Sequence, residues 1–146
     1  MFRRTYLIRA LVVAMLLSLP SSAQKVDTKS LRDILSKQGF TGLLRGKVTF
    51  SLLGTMKCNS AILHVYYYFW EESNPPGKAI HSSQRFIFLK NGNYLGQYVI
   101  ADRPSLIKPD LLQFPNSGED GNSIKCDREG LPGSVILDGQ STVLFR

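Results

Sequence analysis

Residues 62–70 constrain the fold of this chain more than any other segment. These nine residues contain no Asp, Glu, Lys or Arg and consist largely of β-branched and aromatic residues, which favour a strand. Side chains alternate between the two faces of a sheet, so Tyr66, Tyr68 and Trp70 share one face while Tyr67 lies on the other. Both faces carry large apolar groups, which predicts a central strand of a β-rich domain.

Similar strand-like segments recur along the chain and are separated by residues that favour turns. Asn91-Gly92 is the strongest hairpin signal, because both residues tolerate the positive φ that a type I′ turn requires. Asp138-Gly139 is a second, weaker signal of the same kind. The predicted strands are residues 46–53, 61–71, 84–90, 94–101, 111–114, 122–126, 134–138 and 141–145.

The Asn91-Gly92 turn also predicts a register for the two strands that it joins. A two-residue turn fixes which residues lie opposite one another across the hairpin. The predicted pairs are Leu89 with Tyr94, Ile87 with Gly96, and Arg85 with Tyr98.

One short helix is predicted at residues 30–39, where Leu31 and Leu35 recur at helical spacing. Ser30 is the expected N-cap and Gly39 the expected C-terminal turn residue. The sequence therefore predicts a mainly β protein: a single antiparallel β-barrel or sandwich-like domain of about 7–8 strands with one short N-terminal helix. The alternative is an α+β fold in which a curved antiparallel sheet packs on the helix.

The N-terminal 23 residues have the pattern of a secretory signal peptide. Three arginines precede an apolar run at residues 11–19, and the small residues Ser21 and Ala23 suit cleavage before Gln24. The apolar run is too short to span a bilayer, which takes about 20 residues. The pair Arg3-Arg4 also resembles a twin-arginine export signal, so both the twin-arginine and the general secretory route stay open. Residues 24–146 are thus predicted to form one exported domain, periplasmic or extracellular, without a transmembrane segment.

The two cysteines, Cys58 and Cys126, both lie in the predicted mature part. Exported proteins meet an oxidising compartment, so we expect the two cysteines to be bonded to each other. Neither is flanked by further ligands at metal-binding spacing, and we predict no metal site and no cofactor.

The charge of the chain argues against nucleic acid as a partner. The full chain has a net charge of +7. Loss of Arg3, Arg4 and Arg9 with the signal leaves 15 basic against 11 acidic residues, a net charge of +4. The basic residues are scattered along the mature chain, whereas nucleic-acid binders concentrate them in a patch or stripe.

No catalytic motif emerges, and we interpret the mature protein as a non-catalytic binding or envelope-associated module. Its expected partner is a polysaccharide, a peptide or an envelope protein, since rings with polar tips stack on ligands and hydrogen-bond to them. Two alternatives stay open: a small hydrolase that uses Glu71 or Glu72 with His81, and a small barrel that carries an apolar ligand. The candidate binding residues are Tyr66, Tyr68, Trp70, Glu71, Glu72, His81, Arg85 and Tyr98.

The predicted processing can be tested by the intact mass of the protein recovered from its exported compartment without reductant. We expect a chain of 123 residues that begins at Gln24, since 23 of 146 residues are removed. Its mass should also be lowered by the two hydrogens lost when Cys58 and Cys126 are oxidised. A mass that retains Met1 would contradict cleavage.

Overall fold

A computed structural model describes residues 26–72, 81–101, 103, 105–114, 123–137 and 139–146, with only the backbone described at 105–108. The predicted signal peptide and its cleavage site lie outside these residues. The described part contains one helix, α1, and nine strands. The bounds are α1 Thr28–Lys37, β1 Lys47–Cys58, β2 Ala61–Glu72, β3 His81–Lys90, β4 Asn93–Ile100, β5 Ser105–Lys108, β6 Leu111–Gln113, β7 Ser123–Lys125, β8 Ser134–Leu137 and β9 Gln140–Val143.

The strands form antiparallel sheets, which confirms the mainly β prediction. The main sheet has the order β1-β2-β3-β4, and two smaller sheets have the orders β5-β6-β7 and β8-β9. The main sheet is open, with β1 and β4 as its terminal strands, so the prediction of a closed barrel is wrong. The barrel that would carry an apolar ligand is therefore not formed by these strands.

The hairpin between β3 and β4 confirms the predicted turn but not the whole register. Asn91 and Gly92 have φ of 51° and 77°, as a type I′ turn requires. Leu89 pairs with Tyr94 as predicted, but a bulge follows at Leu95. The extra residue shifts every later pair by one position. Ile87 consequently lies opposite Gln97, and Arg85 lies opposite Val99.

Helix α1 begins earlier than the sequence pattern suggests. Asp27, rather than Ser30, is the N-cap, and its carboxylate accepts hydrogen bonds from the backbone N–H groups of Lys29 and Ser30. The Ser30 hydroxyl donates to the same carboxylate at 2.6 Å. These hydrogen bonds to the charged form, with that of the Ser30 side chain the largest, lower the pKa of Asp27.

Both faces of the main sheet are buried. Helix α1 packs on one face, and the C-terminal segments pack on the other. On the helix face the buried residues are Leu31, Leu35, Tyr66, Tyr68, Ile87 and Leu89. On the opposite face they include Met56, Leu63, Val65, Phe86, Phe88, Tyr98, Leu112, Phe114, Ile124, Leu131 and Leu137.

The predicted disulfide between Cys58 and Cys126 is confirmed. The two Cα atoms are 5.4 Å apart, and the bond joins positions 68 residues apart in sequence. Cys58 is the last residue of β1, whereas Cys126 follows β7 directly. The bond therefore attaches the C-terminal cover to the main sheet, which supports a small disulfide-bonded β-rich protein.

Removal of the disulfide should destabilise the fold. The double substitution Cys58→Ala/Cys126→Ala frees a long loop in the unfolded chain, for which chain-entropy arguments give a loss of about 4 kcal/mol. Urea unfolding of residues 24–146, followed by circular dichroism, measures this change. Reductant should lower the unfolding midpoint of the wild type and leave that of the double variant unchanged. Equal midpoints for the oxidised wild type and the double variant would contradict this account.

Candidate functional site

The segment at residues 38–46, which we call the strap, links α1 to β1 and lies over the helix face of the main sheet. Two aromatic side chains of β2 hold its backbone. The Tyr68 hydroxyl donates to the Leu43 carbonyl at 2.7 Å, and Trp70 Nε1 donates to the Arg45 carbonyl at 3.2 Å. The polar tips of these rings thus satisfy carbonyl groups that would otherwise face the apolar sheet.

A second set of contacts holds the other end of the strap. The Thr41 hydroxyl accepts hydrogen bonds from Arg85 Nη1 at 3.0 Å and from Gln97 Nε2 at 2.8 Å. Arg85 Nη1 also donates to Gln97 Oε1 at 3.1 Å, and the guanidinium lies 5.7 Å from the centre of the Phe40 ring. Gln97 is completely buried. Arg85, a predicted binding residue, is thus held beneath the strap by neutral groups.

An open cleft of about 400 Å³ lies between the end of the strap and the end of β2. We call it the Trp70 cleft. Trp70 is partly exposed there, and Leu43 adds an apolar side chain that is 40% exposed. The lining residues are Leu43, Arg45, Gly46, Lys47, Trp70, Glu71 and Glu72.

The charged groups around the Trp70 cleft have both signs. Lys47 Nζ lies 3.3 Å from Glu71 Oε1, in an exposed ion pair. Glu72 pairs across the sheet with His81, so their side chains share one face at the end of the β2–β3 hairpin. Glu71, the preceding residue, lies on the other face. Strand pairing thus brings His81 beside Glu72 but not beside Glu71.

The remaining predicted site residues lie in the core. Tyr66, Tyr68 and Tyr98 are 2%, 0% and 0% exposed. Burial raises the pKa of each phenol, and for Tyr98 the carboxylate of Asp127 adds to this effect. The Tyr98 hydroxyl donates to the Pro132 carbonyl at 2.5 Å. Of the eight predicted residues, the structure therefore brings Trp70, Glu71 and Glu72 together in one cleft, with His81 beside Glu72.

The described residues include no group of three or more His, Cys, Asp or Glu side chains that could hold a metal ion. Within the same ranges, no helix combines the length and the hydropathy that a bilayer crossing requires.

Comparison of the chain with profiles of protein families, with curated proteins and with solved structures finds no match. The geometry of the site is therefore the basis for assigning a function.

The strap and its contribution to the Trp70 cleft were not predicted from the sequence. Leu43 and Arg45 lie in a connection to which the sequence pattern assigns no element, and Gly46 is the first residue of the predicted strand 46–53. A local signal did exist, because three glycines, at positions 39, 42 and 46, fall within eight residues. Glycines so spaced permit a tight path across a sheet.

The approach of the strap to Trp70 depends on Gly46. Gly46 has φ of +77°, and a Cβ there would lie 3.6 Å from Trp70 Nε1. We expect Gly46→Ala to cost roughly 1–2 kcal/mol, because a side chain disfavours the left-handed backbone. The strap would shift at this residue, and the tryptophan emission would move to longer wavelength as the indole becomes more hydrated.

The matched control is Gly133→Ala, where a Cβ meets no atom within 4 Å and φ is not in the left-handed region. This variant should keep both the stability and the emission of the wild type. An unchanged emission in Gly46→Ala would show that Gly46 does not position the strap against Trp70.

Proposed function

We propose that this protein is an exported, non-catalytic binding module and that the Trp70 cleft contacts a polysaccharide. A small disulfide-bonded β-rich domain supports the general class, because such domains are typical of oxidising compartments. The observation that carries the site is the partly exposed indole of Trp70 in an open cleft between charged groups of both signs.

A sugar suits this cleft for three reasons. The flat indole offers an apolar surface on which the C–H face of a pyranose ring can stack. The charged side chains of Arg45 and Glu72 can donate and accept hydrogen bonds, respectively, which sugar hydroxyl groups match in both directions. The cleft is also open rather than enclosed, which leaves room for a chain that continues beyond the bound unit.

The position of the tryptophan makes the proposal directly measurable, because Trp70 is the single tryptophan of the chain. We expect its emission to shift when the mature protein is titrated with soluble oligosaccharides: one neutral, one N-acetylated and one of uronic acids. Substitution Trp70→Ala removes the stacking surface and should weaken binding at least about tenfold in calorimetric titration, as for a central binding residue.

The control is Phe145→Ala, which removes a ring that is 40% exposed beyond β4, at the opposite side of the main sheet. This variant should bind as the wild type does. Binding that survives Trp70→Ala, or the absence of binding to all three sugars, would refute the proposal. In the latter case the same titration with short peptides tests the other partner class.

Hydrolysis is the second candidate function, and the cross-strand pairing of Glu72 with His81 is the observation that favours it. A carboxylate and an imidazole on one face can act as acid and base on a substrate between them. Substitution His81→Ala separates the two functions. An enzyme should lose most of its turnover of a bound oligosaccharide, measured by the release of reducing ends, whereas a binding module should lose at most some affinity.

A further inference from the structure

Strand β1 is a terminal strand of the main sheet, and two contacts show which of its backbone groups point away from β2. Arg32 Nη2 donates to the Val48 carbonyl at 3.4 Å, near the start of the strand. The Lys57 N–H donates to the Pro109 carbonyl at 2.5 Å, near its end. Both β1 groups must face outward to reach these partners.

Outward and inward residues alternate along an antiparallel edge. Val48 faces outward, so Phe50 and Leu52 do as well. The register change between Leu52 and Gly54 then moves the outward positions to odd numbers, which agrees with Lys57. In the described part of the chain, no backbone or side-chain group bonds to the outward N–H and C=O of Phe50 or Leu52. We call these two residues the open edge.

A hollow of about 550 Å³ adjoins the open edge. Its walls come from α1, from the two residues that precede α1 and from the main sheet, and they carry both apolar and polar groups. Its one charged lining residue is Asp27, whose carboxylate is ionised at neutral pH, as that of any unperturbed aspartate is. The lining residues are Val26, Asp27, Thr28, Leu31, Phe50, Ser51, Leu52 and Tyr66.

We propose that an extended peptide segment of a partner protein adds to β1 at the open edge. Only a peptide backbone offers donors and acceptors at the two-residue repeat of Phe50 and Leu52. Alternate side chains of the added strand would lie on the helix face, where the hollow has room for one of them between Leu31 and Tyr66. The carboxylate of Asp27 in the hollow can attract a basic residue of the same segment on the side away from the Arg32 guanidinium, which lies 5.8 Å from the centre of the Phe50 ring. This site is separate from the Trp70 cleft and does not depend on a sugar ligand.

The experiment uses the uniformly ¹⁵N-labelled mature protein and a capped peptide of alternating valine and threonine with a lysine at each end. We expect the amide resonances of Phe50 and Leu52 to shift, and their hydrogen exchange to slow at least about tenfold, when the peptide is added. The control peptide has the same side chains but carries N-methyl groups on alternate residues, along the edge that pairs. It should not bind, because it lacks the N–H donors.

Two protein variants separate the edge from the rest of β1. Leu52→Lys places a charge beside the hollow and should abolish peptide binding. Thr49→Lys adds the same charge at an exposed position whose backbone groups point to β2, and it should bind as the wild type does. Circular dichroism verifies that each variant is folded. The N-methylated peptide is tested on the wild-type protein, so that control does not depend on the folding of a variant.

Three results would overturn the proposal. The first is the absence of any shift at Phe50 and Leu52. The second is equal binding of the N-methylated peptide, which would show that backbone pairing is not involved. The third is a dimer in sedimentation equilibrium that protects the same two amides without peptide, because a second copy would then occupy the edge.

Discussion

The structure depends on the pairing of β2 with β3, because this pair is apolar on both faces. Tyr68 and Ile87 lie in the core on the helix side, whereas Val65 and Phe86 lie in the core on the opposite side. A sheet with two apolar faces is stable in water only when each face is covered. The helix and strap form one cover, and the C-terminal strands form the other. The segments before and after the main sheet in the chain therefore each bury one of its apolar faces.

The two covers are fastened in different ways. The C-terminal cover is attached covalently, through the disulfide at Cys58. The strap is attached by hydrogen bonds from side chains of the sheet to its own backbone and to Thr41. The rings of Tyr68 and Trp70 therefore have two tasks, since their apolar parts pack on the sheet and their polar tips bind the strap. Trp70 retains enough exposure to form a wall of the cleft, whereas Tyr68 does not.

Local signals in the sequence predicted much of the fold, and long-range contacts account for what they missed. The Asn91-Gly92 turn was predictable because its backbone angles are a property of those two residues. The bulge that follows was not, and its surroundings are long-range: Leu144 packs so closely on the adjacent Gly96 that a Cβ there would lie 2.8 Å from it. Likewise, alternation along β2 placed Trp70 on the same face as Tyr66 and Tyr68, but nothing local reveals its bond to a carbonyl 25 residues earlier. The sequence therefore predicted the residues that β2 contributes to the cleft but not those that the strap contributes.

The chemistry of the groups that fasten the strap and helix has a consequence for the conditions that the protein tolerates. Arg32 and Arg85 contact carbonyl, hydroxyl and amide oxygens and the rings of Phe50 and Phe40, and neither forms an ion pair with a described carboxylate. Dissolved ions screen attraction between opposite charges far more than they weaken short hydrogen bonds to neutral groups. These oxygens also do not titrate in mild acid. The docking of the helix and strap is therefore expected to be nearly independent of ionic strength and of moderate acidification.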